Sequence, residues 1–156
     1  MTATVAPAPP TSPSIGPAAP PGSQPATAPH VATNVAQAVI DLGMNFGADR
    51  VRAWADGTGG AQVVIDDVPL SSTWTTTSTW VGFALSHLVP EADTYPHYVR
   101  ADLGYADGRP LTVPLSPATF AGVPAVQVSR RQRPGTAART PAAKTRGVLA
   151  WLRSPE

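Results

Sequence analysis

Chemistry in this chain falls to hydroxyl, guanidinium and carboxylate groups, because its 156 residues include no cysteine and only 3 histidines. Disulfides, thiolate metal sites and cysteine nucleophiles are thereby excluded. The hydroxyls nearest the Asp107-Gly108 turn are Thr112 and Ser116, and Ser129, at the end of VPAVQVSR, is expected close to them in space. A serine or threonine oxygen can accept an acyl group as an oxyester when a base or an oxyanion-stabilising environment activates it. None of the three stands in a nucleophile motif, and a turn residue bonded to local backbone is the weightier reading of each. Arg130 and Arg131 follow Ser129 and suit a carboxylate or an acidic surface through charge-assisted bonds, with a solvated edge as the alternative. His97 is a candidate general base, but a histidine beside Tyr98 more often packs or lies on the surface.

Other polar groups fit established chemistry less well. His30, His87 and His97 are scattered, and Glu91, Asp93 and His97 match no metal-ligand spacing, so no metal is expected. Asp102 and Asp107 lie near glycines and read as turn formers rather than a carboxylate pair. The DGTGG run at 56–60 lacks the lysine and helix of a phosphate loop, and no cofactor is expected. With Lys+Arg 11 against Asp+Glu 10, the net charge of +1 gives no footprint for nucleic acid. No window approaches the roughly 20 apolar residues of a membrane span. No basic start followed by an apolar core marks a secretory leader, so a cytoplasmic protein is expected.

These groups must be positioned by a modest core. The chain is 42% hydrophobic, but much of that is alanine, and many of its 19 prolines crowd the N-terminus. Residues 1–30, opening MTATVAPAPPTSPSIGPAAPP, supply too little large apolar surface to offset ordering entropy, and a disordered or polyproline-like tail is expected. Residues 31–156 then form one domain. Val35, Val39, Leu42 and Phe46 make one stripe of a helix over 35–46, with Asn34 and Gln37 as a capping box and Gly43 and Gly47 as exits. Strands follow at 51–54 and 61–66, joined by the glycine-rich turn. A third covers 75–88, with Val81, Phe83 and Leu85 on one face, and a fourth covers 98–103. Residues 123–130 read as a further extended segment. Thr140 as N-cap and Pro141 at the first position open a last helix whose stripe is Thr145, Val148, Leu149 and Leu152. The pattern is α+β: helix, antiparallel meander of about four strands, helix.

Several motifs in this order carry a family resemblance. VPEADTYP, then DGRPL, then Phe120, then PAVQVSRR, then a helix ending in VLAWLR resembles the ubiquitin-conjugating (E2) superfamily, and within it prokaryotic E2 family E, over about residues 35–153. Tyr95-Pro96 is similar to the Tyr-Pro after the third E2 strand, and Asp107-Gly108 to the turn before the E2 cysteine. That cysteine's slot falls near Pro110, which has neither nucleophile nor backbone donor. The His-Pro-Asn flap of eukaryotic E2 proteins is absent, and 132–140 matches no E2 motif. The resemblance implies a bacterial conjugation pathway with a ubiquitin-like protein and an E1-like activating enzyme as partners. Two roles are open: a binding module, or a transferase carrying the modifier on Ser116 or Thr112 with Ser129 in support. A structural domain of fortuitous likeness is the third reading. The residues expected to contact a partner are Tyr95, Pro96, Asp107, Gly108, Gln127, Arg130 and Arg131.

Overall fold

The computed structural model of the protein describes residues 16–18, 30–131 and 139–155. Its elements run α1 (Thr33–Phe46), β1 (Val51–Ala55), β2 (Ala61–Pro69), β3 (Ser78–Leu85), β4 (His97–Arg100), β5 (Leu115–Phe120), β6 (Val123–Val128) and α2 (Pro141–Arg153). Every strand pair is antiparallel, and the sheet order is β1-β2-β3-β4-β6-β5. The α+β layout agrees with the sequence, but the expected count of about four strands is corrected to six. A hairpin, β5 with β6, continues the meander by pairing β6 to β4. β5 escapes a periodicity reading because only Leu115 and Phe120 of LSPATF are buried. Its Pro117 lies in an edge strand, where a missing backbone donor costs least.

Both helices cover one face of the sheet. Val35 and Leu42 of α1, and Val148 and Leu152 of α2, join Val63, Ile65, Val81, Phe83, Leu85, Val99 and Val128 in the main core. Ile65 and Val68 both reach this face because the β2–β3 register shifts between them, with Asp67 at φ 53°. The hairpin turn is held by Asp56, whose Oδ1 accepts from Thr58 N, Thr58 Oγ1 and Gly60 N at 2.8, 2.7 and 3.1 Å. Thr140 caps α2 as expected, accepting from Ala143 N at 3.2 Å. The capping box proposed for α1 does not form. Ala32 is the N-cap, and Asn34 Nδ2 instead donates to the carbonyls of His87 and Val89 at 2.7 and 2.8 Å.

A second, smaller cluster occupies the opposite face: Trp54, Val64, Trp80, Phe120 and Ala125. Gly82 admits the Phe120 ring there, since a Cβ at Gly82 would lie 2.3 Å from Phe120 Cε1. Residues 1–15 and 19–29 of the expected disordered tail lie outside the described residues. Gly16 and Pro17, within that stretch, are buried. No helix among the described residues is long and apolar enough to cross a membrane.

Candidate functional site

The end of β6 gathers the polar residues. Gln127 lies opposite Ser116 of β5 and Tyr98 of β4, and its Nε2 donates to Ser129 Oγ at 2.8 Å. Ser129 N donates to the Pro114 carbonyl at 2.8 Å, which fixes the chain just beyond the strand. Tyr95 lies in the bend before β4, followed by a cis bond to Pro96. The Arg131 guanidinium stands 4.6 Å from the centre of the Tyr95 ring. A hydrogen bond with Ser129 holds the Tyr95 phenol below its ordinary pKa of 10.0, and a second with Arg131 acts the same way; burial and Asp93 oppose them. Tyr95, Gln127, Ser129 and Arg131 therefore form one group, with Ser116 exposed across the strand pair. A guanidinium and polarised hydroxyls in this arrangement suit a carboxylate or another acceptor-rich surface.

Other predicted residues lie elsewhere. Thr112 is an exposed turn residue whose carbonyl accepts from Leu115 N at 2.8 Å. Asp107 Oδ1 accepts from Arg109 N at 3.1 Å, and Gly108 takes φ 81°, the left-handed geometry such a turn requires. Arg109 lies 4.0 Å over Tyr105, Tyr105 stacks on Trp74 at 4.8 Å, and Trp74 tilts against Trp151 at 6.3 Å. Arg130 is 5.2 Å from the Trp151 ring. Asp107, Gly108 and Arg130 thus border an aromatic ladder distinct from the Tyr95 group, so the adjacent arginines serve different neighbours.

Beside the Tyr95 group lies a largely buried polar set whose pairing the sequence does not give. Lys144 Nζ bonds both carboxylate oxygens of Asp93 at 2.9 Å, with the lysine side chain only 6% exposed. His97 Nε2 lies 2.9 Å from Thr145 Oγ1, and its ring packs against Phe83 at 4.9 Å. Burial, then the Lys144 charge, pushes the His97 pKa down to about 3, with Asp93 opposing. A buried imidazole held neutral this firmly fits the packing reading of His97, not a base facing substrate. The sequence offers His97 and Asp93 singly and Thr145 as a hydroxyl on the apolar stripe of a helix, but no local signal ties them to Lys144. Among the described residues no group of three or more His, Asp or Glu is placed to hold a metal.

No family model, curated protein or solved structure matches this chain. Function accordingly rests on the chemistry of these residues and on the motif resemblance.

Proposed function

We propose that this protein is a cysteine-free binding module of a bacterial, cytoplasmic ubiquitin-like conjugation pathway, holding the ubiquitin-like protein or its E1-like partner. The observation that carries binding is the group at the end of β6: exposed Arg131 over half-buried Tyr95, with Ser129 bonded to Gln127 beside them. Such a group can take a carboxylate terminus or an acidic surface through charge-assisted bonds. The partner's identity rests on the ordered motifs DGRPL, PAVQVSRR and VLAWLR, which is a warrant by analogy. One observation favours transfer instead. Exposed Ser116 lies opposite Gln127, whose Nε2 bonds Ser129 Oγ at 2.8 Å, so Ser116 is the acceptor in that second reading, with Ser129 in support.

The test incubates the purified chain with a ubiquitin-like and an E1-like protein of the same genome plus ATP, followed by gel filtration and intact-mass spectrometry. Binding predicts co-elution without a mass adduct, weakened at least about tenfold by Arg131→Glu, a difference of about 1.4 kcal/mol. A hydroxylamine-labile adduct that Ser116→Ala abolishes would establish the transferase. Neither co-elution nor adduct would leave only a structural domain.

A further inference from the structure

Trp80 lies on the sheet face away from both helices, yet it is 3% exposed. Phe120 stacks on it with ring centroids 6.1 Å apart. The backbone of Gly16 also approaches it, so closely that a Cβ at that position would lie 3.0 Å from Trp80 Cγ and 3.2 Å from Arg52 Nη2. The next carbonyl, that of Pro17, accepts from Arg52 Nη1 at 2.8 Å. Asp66 holds the same guanidinium in place through bonds of 2.7 Å to Nε and 3.1 Å to Nη2. Beside Gly16 a groove of about 540 Å³ continues between Arg50, Asp66, Thr79 and Arg100.

Each feature selects for a particular peptide. The indole leaves a side chain at the first position a few tenths of an ångström short of room, which favours glycine. The Arg52 donor calls for a carbonyl at the second, and proline there presets an extended backbone while offering no N–H that burial would orphan. We propose that the seat formed by Trp80 and Arg52 is a recognition site for a Gly-Pro peptide, which the chain fills in cis with its own Gly16-Pro17. This site is independent of any conjugation role. One ring contact and one backbone hydrogen bond are weak alone, and the covalent tether keeps the segment at an effective concentration of millimolar order. The segment is therefore a strap that a substitution can release, leaving a vacant site for the same sequence supplied in trans.

The experiment uses the full chain, the peptide SPSIGPAAP corresponding to residues 12–20, and the Trp80 indole signal in nitrogen-resolved NMR. In the native chain the peptide leaves that signal in place, because Gly16-Pro17 already occupies the Trp80–Arg52 seat. Gly16→Val shifts it, while the indole signals of Trp74 and Trp151 on the helix side stay where they were. Adding the peptide then returns the Trp80 signal toward its native position, and Arg52→Ala in the Gly16→Val background abolishes that return. An unchanged Trp80 signal in Gly16→Val would overturn the proposal, as would a peptide that fails to move that signal in the Gly16→Val chain. Loss of the Trp74 and Trp151 signals would also overturn it, since the segment would then be part of the fold and not a strap.

Discussion

At the residue scale, His97 makes the fold sensitive to acid. Its ordinary pKa of 6.5 falls to about 3, chiefly because burial disfavours the imidazolium and secondly because Lys144 repels it. Below pH 6.5 the unfolded chain takes up this proton while the native chain does not, so stability is full above 6.5 and declines as pH falls toward 3. At pH 4 the loss from this group is on the order of 3 kcal/mol. Urea melts at pH 7 and pH 4 should show that difference, and His97→Gln should shrink it; equal pH dependence in the two chains would mean His97 is not the titrating group. Lys144 is the second test. Replacing it with alanine withdraws the ammonium from the partly exposed Asp93 and removes the buried lysine stem, and is expected to cost about 1–2 kcal/mol, read from the denaturation midpoint at pH 7. The same change removes the positive charge facing His97 and should raise the imidazole pKa in an NMR titration.

At the element scale, the fit between β3 and the β5–β6 hairpin turns on Gly82. A methyl at that position would lie 2.3, 2.7 and 3.0 Å from Phe120 Cε1, Cδ1 and Cζ, so the ring must move off Tyr98, on which it stacks at 4.9 Å. Gly82→Ala should destabilise by about 2 kcal/mol, and combination with Phe120→Leu should recover part of that in a double-mutant cycle. Purely additive costs would show that the ring is not the obstacle. This contact also marks the limit of what the sequence told. Both helices, the Asp56 turn and the Val81, Phe83, Leu85 face were legible because period and turn chemistry are local signals. β5 was not, because an edge strand with one buried residue at each end has no alternation to read. The site was half legible. Tyr95, Gln127, Ser129 and Arg131 were named and do converge, whereas Asp107 and Arg130 went to the Trp74 ladder. Only β6 pairing between β4 and β5 decides which polar residues meet, and that pairing is a long-range fact.

At the scale of the whole molecule, one sheet carries two clusters, and the same strands serve both. Val63 and Ile65 face the helices while Val64 between them faces Trp54; Val81 faces the helices while Trp80 faces Phe120. Unmaking either cluster pulls on strands that the other needs. The four tryptophans divide evenly, with Trp74 and Trp151 on the helix side and Trp54 and Trp80 on the far side. A single cooperative unit predicts that both pairs report one transition. Phe substitutions at Trp74 and Trp151 leave emission from the far face only, and the complementary pair of substitutions leaves the helix side only. In each variant, urea unfolding followed by fluorescence should share its midpoint with far-UV circular dichroism. If the far-face signal were lost first, with the helices intact, the Trp54–Trp80 cluster would be a separately melting layer. Burial of Val64 at 0% in the central run of β2 argues against that, because no strand can release it without exposing Val63 and Ile65 on the other side.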